Sequence, residues 1–331
     1  MSTTFKSRLK AFGLSRSIAR ISREAAAMTA DQKDALVRRV ADKTLVFCVA
    51  SGRSGTQSLA KIFEVAPGVH ATHEGVPAFQ DVMRPALESP TLACDFLLTR
   101  KLPAIADVAE EVYLESSHVF AKGFLPPMLK LGLRPKLIFL KRDPRKIALS
   151  LERIGATPLR TEGGRGHFIS PADPSMLPVA PWDDFTDYQL CYWYALETIR
   201  RQQVLYEMAV RSGCTCRYQR IEDLRTPADV WALMASLGLG AHRGPEAEAA
   251  MRVRVGRAFN LKEKSPPLRR VAAELDAQEQ MVAARVQTCM PELNVSQMIR
   301  GYLSAAVVET PDGQPEPAVA DHHGRRARMS A

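Results

Sequence analysis

A short segment of small residues, SGRSG at positions 51–55, has the composition of a phosphate-binding loop. It follows an apolar run at residues 45–50, typical of a strand buried on both faces, and precedes residues 56–63, whose apolar positions have helical spacing. Glycine lets a backbone approach a ligand closely, and the N–H groups at the start of a helix favour an anion. The sequence therefore predicts a phosphate site at the end of this strand.

The loop differs from the Walker A loop that binds nucleoside triphosphates. Gly52 and Gly55 are three positions apart, and Thr56 follows Gly55 where a lysine would be needed to reach the β- and γ-phosphates. The cation lies earlier in the loop, at Arg53. We expect the loop to bind a single phosphate flanked by an arginine.

A second predicted strand, residues 135–140, ends in another group of basic side chains. Asp143 and Pro144 suit the first turn of the helix that follows, and Ser150 lies two turns into that helix. Arg142 would lie at the strand end, and the carboxyl ends of parallel strands face the ligand crevice of an open sheet. These side chains form a second predicted anion site.

Polar residues at two other strand ends are candidates for a general base. Glu74 follows a predicted strand at residues 70–72, and His118 follows one at residues 111–114. His73 is a third candidate, although the alternation of side chains along a strand would point it away from Glu74.

The elements that must position these residues are typical of an α/β protein. Strands and helices alternate along residues 44–304, which predicts one domain with a mainly parallel β-sheet and helices on both faces. The chain has 331 residues, of which 46% are hydrophobic and 24% charged, and its six cysteines lack zinc-site spacing. We expect reduced thiols in a cytoplasmic protein without a signal peptide or membrane span.

The two ends of the chain differ from this domain. Residues 1–43 carry ten lysines and arginines but four acids, which predicts a basic helical extension, whereas residues 305–331 are expected to be disordered. Apolar residues on one face of residues 1–26 suggest peripheral membrane contact, although a frayed or core-docked extension is the simpler interpretation. No DNA-reading motif accompanies the charge, so nucleic acid is not an expected partner.

Two segments of the domain lack a clear periodic pattern. Residues 155–181 are rich in glycine and proline, which predicts a lid or binding loop, with Trp182 and Phe185 beside it. Residues 241–265 are basic and are expected to form a loop.

Three segments resemble those of sulfotransferases that use 3′-phosphoadenosine 5′-phosphosulfate (PAPS). SGRSGTQSLAKIF resembles the 5′-phosphosulfate loop of this family, and RIEDLRTPADVWALMASLGL resembles a later strand–helix segment. LKRDPRKIALSL resembles the 3′-phosphate-binding segment, whose arginine and serine are eight positions apart, as Arg142 and Ser150 are. The resemblance covers roughly residues 44–265, and its motifs are most similar to bacterial carbohydrate and tyrosylprotein-type sulfotransferases.

The resemblance implies a P-loop-kinase-like sulfotransferase fold that uses PAPS without a metal and releases adenosine 3′,5′-bisphosphate. Arg142 and Ser150 would hold the 3′-phosphate, and Arg257 is a candidate for the loop that closes over it. Arg53 would stand next to the oxygen that bridges phosphate and sulfate. The 5′-phosphate would lie at the start of the helix, against Ser54, Gly55, Thr56, Gln57 and Ser58.

The same family provides two models for the base. Tyrosylprotein and several carbohydrate sulfotransferases use a glutamate about twenty residues after the loop cation, and Glu74 lies twenty-one residues after Arg53. The cytosolic aryl and steroid branch uses a histidine, for which His118 is the nearest match at a different offset. We favour Glu74 as the residue that takes the proton from a hydroxyl or amine of a carbohydrate or glycolipid, with residues 155–181 covering the acceptor pocket.

The chain departs from the family at two places, and two other functions remain as alternatives. Residues 116–118 contain no lysine, which the family often has there, and Ile221 replaces a tyrosine, which leaves the adenine contact open. The alternatives are a P-loop small-molecule kinase and a non-catalytic nucleotide-binding protein on the same fold. A kinase would be expected to have a lysine after Gly55 and carboxylates for Mg²⁺.

Overall fold

The computed structural model describes residues 3–255, 257 and 271–304, and the predicted disordered tail at 305–331 lies outside them. In the described part of the chain, five parallel strands form one sheet in the order β2-β3-β1-β4-β5. The strands are β1 (Thr44–Ala50), β2 (Val69–His73), β3 (Val112–Ser116), β4 (Lys136–Lys141) and β5 (Cys216–Arg220).

Helices account for most of the remaining described residues. The α-helices are α1 (Thr3–Ala27), α2 (Ala30–Ala41), α3 (Thr56–Phe63), α4 (Met83–Glu88), α5 (Pro90–Phe96), α6 (Leu102–Ala106), α7 (Leu125–Lys130), α8 (Pro144–Arg153), α9 (Glu162–His167), α10 (Asp187–Arg211), α11 (Pro227–Ser236), α12 (Pro245–Arg254), α13 (Ala272–Cys289) and α14 (Val295–Ser304). Shorter 3₁₀ or π turns lie at Phe79–Val82, Leu97–Lys101, Ile221–Asp223 and Gly240–His242.

The sheet is covered by helices on both faces, which confirms the predicted α/β class. Phe47 and Val49 of β1 pack into an apolar cluster with residues of α4–α7 and α10. Val46 and Cys48, on the opposite face of β1, pack with α3 and α11. This two-sided burial explains why β1 reads as a continuous apolar run rather than an alternating one.

The strand order places β1 at the centre of the sheet, between β3 and β4. The chain first passes from β1 to β2 on one side and later crosses to β4 on the other. Ligands of open α/β sheets bind beyond the carboxyl ends of the strands, at the point where the strand order reverses. The loop after β1 and the residues after β4 therefore lie at the expected crevice.

The basic N-terminal segment is attached to the domain through its second half. Ile21 of α1 and Val40 of α2 are buried in the apolar cluster on the α5–α6 side of the sheet. The Ser22 hydroxyl donates to Asp95 at 3.0 Å, and the Lys43 ammonium donates to the carbonyl of Val108 at 2.6 Å. None of the helices in the described ranges has the length and apolar character needed to cross a bilayer.

The two segments without a clear pattern both contain helix. Residues 155–181 include α9, which begins where the Thr161 hydroxyl accepts a hydrogen bond from the Gly164 N–H. The prediction that residues 241–265 form a loop is wrong for residues 245–254, which form α12. Ala247 and Met251, four residues apart, are buried on α12, but the surrounding charges hide this apolar pair in the sequence.

Candidate functional site

The loop between β1 and α3 presents the start of that helix without a side-chain cap. Gly55 is the residue before the first turn, has a left-handed φ of 96°, and supplies no acceptor to the first N–H groups. A Cβ atom at this position would lie 2.8 Å from the Ile221 side chain, so the loop requires glycine here. The Ser54 hydroxyl donates to the carbonyl of Ser51 at 2.7 Å and holds the turn. Backbone donors and the positive end of the helix dipole can therefore meet an anion.

The loop is packed tightly from behind. The Gly52 N–H donates to the Tyr194 hydroxyl of α10 at 3.0 Å. A Cβ atom on Gly52 would come within 2.4 Å of the Phe168 ring, so glycine is needed here for close packing. These contacts fix the loop against α10 and against residues 155–181.

The two predicted phosphate motifs meet at Arg53. The Arg53 Nε donates to the Ser150 hydroxyl at 3.1 Å, and Arg142 donates from Nη1 to the Arg53 carbonyl. Ser150 lies on α8, which begins as predicted, with Asp143 accepting from the Lys146 N–H at 3.2 Å and Pro144 in the first turn. Residues predicted separately at the ends of β1 and β4 thus form one cluster.

The cluster carries a third arginine that the sequence interpretation missed. Burial lowers the pKa of Arg53, and the charges of Arg142 and Arg153 lower it further. Burial also lowers the pKa of Arg142, against the opposing effect of Glu222, whose carboxylate lies 3.9 Å from the Arg142 Nε. That buried Nε has no hydrogen-bond partner. An anion bound here would relieve the repulsion among three guanidinium groups.

One feature of the sequence could have identified Arg153 as a member of the cluster. It is three residues after Ser150, so the helix places both on nearly the same face. Its side chain is exposed.

A cavity of about 940 Å³ opens beside the loop. Arg53, Thr56 and Gln57 line one side, and Glu74 and His118 line another. Residues 154–156, 163, 167 and 168 complete the wall, so the glycine-rich segment does border a pocket. Ser150 and Arg142 do not line this cavity, whereas Arg53, which contacts both of them, does.

The two candidate bases contact each other. The Glu74 Oε1 lies 3.4 Å from the His118 Nε2, and their side chains are 31% and 9% exposed, respectively. His73 also lines the cavity, although alternation along β2 predicted that it would point away from Glu74. The backbone leaves the extended conformation at Glu74, whose φ is 53°, so the alternation along β2 does not fix the direction of that side chain.

A buried lysine, also missed in the sequence, lies behind His118. The Lys122 Nζ is 2.9 Å from the His118 Nδ1 and donates to the His167 carbonyl. Burial lowers the pKa of His118 well below its usual range, and the neighbouring Lys122 lowers it further. The imidazole is therefore neutral at neutral pH.

A fully buried ion pair holds the residue that follows Glu74. The Lys101 ammonium donates to the Gly75 carbonyl at 2.8 Å and to the Glu115 carboxylate at 2.9 Å. The Tyr113 hydroxyl donates to the same carboxylate at 2.6 Å. Buried ion pairs contribute little net stability, but this one fixes the turn that carries Glu74.

Residues 155–181 are held over the site by several bonds. The Phe168 ring stacks on the His118 ring, with 5.2 Å between centroids. Arg84 donates to the carbonyls of Arg165 and Phe168. The buried Trp193 indole donates to the Leu177 carbonyl at 3.1 Å.

Two predicted binding residues, Ser58 and Arg257, take no part in the contacts described above. Ser58 is half-buried in the first turn of α3. Arg257 is exposed just past α12, where its N–H donates to the Arg254 carbonyl at 3.2 Å. Within the described ranges, no cluster of three or more His, Cys, Asp or Glu residues could hold a metal ion. Comparison with protein-family models and with curated proteins gives no significant match.

Proposed function

We propose that this protein is a sulfotransferase that moves a sulfuryl group from PAPS to a hydroxyl or amine of a carbohydrate or glycolipid. The observation that carries the proposal is the position of Arg53. It lies in the loop before the uncapped start of α3, contacts both Ser150 and Arg142, and also borders the cavity that Glu74 lines.

The residues present fit a donor with two separate phosphates. The start of α3, from Ser54 to Ser58, would hold the 5′-phosphate through backbone N–H groups. Arg142 and Ser150 would hold the 3′-phosphate, and the buried Arg142 Nε, which has no hydrogen-bond partner, is a donor that such an anion would satisfy. Arg153 would add charge at the exposed side.

The side chains around the cavity fit the transfer step. The donor supplies the sulfuryl group, which joins the acceptor oxygen and leaves the electron pair of the broken bond on the phosphate oxygen. Arg53 stabilises the charge that develops on that oxygen. Glu74 takes the acceptor's proton, because its carboxylate is the more exposed of the two contacting groups.

The cavity wall favours a hydrophilic acceptor. Of the described residues that line it, Ile154 and Phe168 have large apolar side chains, and the others are small, polar or charged. Ligand pockets for apolar molecules are lined mainly by hydrophobic and aromatic side chains. This composition supports a sugar hydroxyl over a steroid or aryl acceptor.

The test is transfer of labelled sulfate from PAPS to glycan and glycolipid acceptors, run beside equilibrium binding of adenosine 3′,5′-bisphosphate, ATP and GTP. We expect the bisphosphate to bind and label to appear in a carbohydrate fraction. Binding of the bisphosphate without transfer to any acceptor would favour the non-catalytic nucleotide-binding protein. Preferential Mg²⁺-dependent binding of ATP would favour the kinase.

We also propose that the protein is cytoplasmic and contacts membranes through residues 1–26. The docked residues Ile21 and Val40 show that removing residues 1–40 would damage the core, so the informative deletion is residues 1–14. We expect this deletion to reduce sedimentation with anionic lipid vesicles, with the melting temperature measured beside it to check that the domain remains folded. Equal sedimentation of the two proteins would refute the membrane contact.

A further inference from the structure

Lys122 is a buried lysine outside both parts of the proposed site. It is 2% exposed, it does not line the cavity, and it is not part of the arginine cluster. Lysine is almost never fully buried unless its ammonium group has specific partners. The partners of Lys122 are the Nδ1 atom of His118 and the carbonyl of His167, with the rings of Phe168 and Tyr194 at 5.0 and 5.4 Å.

We propose that Lys122 is a positioning residue that keeps the proton of neutral His118 on Nε2, so that His118 faces the Glu74 carboxylate with an N–H rather than a lone pair and Glu74 alone serves as the base. The catalytic part of this inference rests on the proposed function. The placement of the proton rests on the contacts of the two imidazole nitrogens and on the neutral state of the ring.

The proton's place follows from what each partner can do. A charged lysine ammonium has three N–H donors and no acceptor, so the His118 Nδ1 facing it must be the unprotonated, accepting nitrogen. The proton of the neutral ring then lies on Nε2, which is 3.4 Å from the Glu74 carboxylate. The hydrogen bond made by one imidazole nitrogen thus sets the state of the other.

A neutral Lys122 leads to the same arrangement. Burial lowers the pKa of Lys122 well below its usual range, and the charge of Arg84 lowers it further. The neutral amine still has two N–H groups for its two acceptors, the His167 carbonyl and the His118 Nδ1. Moving the proton to Nδ1 would place the Nε2 lone pair against the Glu74 carboxylate, which is unfavourable.

The orientation of the His118 ring is also fixed by residues 167 and 168, which line the cavity. Phe168 stacks on the His118 ring with an interplanar angle of 11°, and the neighbouring residue His167 provides the carbonyl that anchors Lys122. The same short stretch therefore fixes both the plane of the imidazole and the donor behind it.

This arrangement decides between the two candidate bases. A nitrogen that already carries a proton cannot accept one from the acceptor hydroxyl, so His118 is not the base in this state. Its N–H instead supports the negative charge of Glu74 until the acceptor's proton reaches the carboxylate. Partners that orient metal-bound histidines typically contribute about 10- to 100-fold to activity, and we expect a comparable effect of Lys122 on kcat.

The experiment is ¹⁵N NMR of the histidine side chains in the full-length protein at neutral pH. The chain has seven histidines, and the signals of His118 are identified by their loss in His118→Gln. We expect wild-type His118 to be protonated on Nε2 and unprotonated on Nδ1. We expect Lys122→Met to give a mixture of the two tautomers, whereas Lys136→Met, which removes a partly buried lysine of β4, leaves the His118 signals unchanged.

Protonation of wild-type His118 on Nδ1 would overturn the proposal, and this measurement needs no variant that might fold poorly. An unchanged Nε2 tautomer in folded Lys122→Met would also overturn it. Lys122→Arg keeps N–H donors and is expected to restore the wild-type tautomer. None of these outcomes depends on sulfate transfer, so a failure of the proposed function is distinguishable from a failure of this inference. If transfer is observed, Lys122→Met should lower kcat and leave the binding of adenosine 3′,5′-bisphosphate unchanged.

Discussion

The Arg53 Nε lies 3.1 Å from the Ser150 Oγ, which joins two residues 97 positions apart in the chain. Through this bond, the loop after β1 and the helix after β4 form a single hydrogen-bonded unit. Arg142 completes the unit by donating to the carbonyl of Arg53. A change at any one of these residues should therefore alter the others' effect on ligand binding, because residues that share a hydrogen-bond network are not additive.

Replacing Arg142 should affect the 3′-phosphate selectively. We expect Arg142→Ala to weaken binding of adenosine 3′,5′-bisphosphate by about 10- to 150-fold, the loss of one charged hydrogen bond. An analogue without the 3′-phosphate should lose little affinity. Calorimetric titration of both ligands measures the difference, with Arg134→Ala, before the amino end of β4, as the control. Equal losses for the two ligands would show that Arg142 does not bind the 3′-phosphate.

Arg153 should contribute a smaller effect that depends on salt. Because its side chain is exposed, we expect Arg153→Ala to lower bisphosphate affinity by about two- to fivefold at low ionic strength. The difference from wild type should shrink as salt is added, since salt screens exposed charges. Arg211→Ala is a matched exposed control on α10. A loss that stays constant from low to high salt would contradict a long-range charge effect.

Replacing Glu74 should separate proton removal from donor binding. Glu74→Gln keeps the shape of the side chain but removes its basicity, so turnover should fall by about 10²- to 10⁴-fold while bisphosphate affinity is retained. Arg53→Ala should lower turnover by about 10²- to 10³-fold through the leaving oxygen. Steady-state kinetics with an identified acceptor measures both. Near-full turnover of Glu74→Gln together with loss in His118→Ala would assign the base to the histidine.

Acidification should destabilise the protein through His118. Burial and Lys122 lower the pKa of folded His118 well below its usual range, so the unfolded chain binds this proton at higher pH than the folded chain does. Stability should therefore fall as the pH drops below about 6.5, by up to about 1.4 kcal/mol per pH unit, until the folded pKa is reached. Urea unfolding between pH 5 and 7 measures this slope, which His118→Gln should reduce. An identical slope in the variant would show that His118 is not the group involved.

Gly55 should tolerate substitution less well than other glycines with a left-handed backbone. Gly55→Ala introduces both an unfavourable φ and a Cβ atom 2.8 Å from Ile221, whereas Gly132 has a φ of 85° with open space around it. We expect Gly132→Ala to cost about 1 kcal/mol and Gly55→Ala at least twice as much. Thermal unfolding compares the two. Ile221→Ala should recover part of the Gly55→Ala loss, and no recovery would show that the contact is not the cause.

The sequence allowed correct prediction of the features that depend on residues close together in the chain. The apolar run of β1, the glycines before α3, and Asp143 with Pro144 at the start of α8 all act through neighbours in the chain, so their roles were predictable. Arg153 and Lys122 were missed because their significance depends on which residues the fold brings beside them. The Lys101–Glu115 ion pair was missed for the same reason. Neither residue, taken alone in the sequence, shows whether its charge is buried against a partner or exposed to water.

The hydrogen bond from Trp193 to the Leu177 carbonyl gives the protein an intrinsic optical probe. Indole emission shifts to longer wavelength when the ring meets water, and Trp193 is fully buried beneath residues 155–181. Detachment of residues 155–181 would break this hydrogen bond and shift the emission of Trp193 to longer wavelength. Stopped-flow emission, with Trp182→Phe and Trp231→Phe to remove the other two tryptophans, would therefore report whether residues 155–181 detach from α10 when a ligand binds.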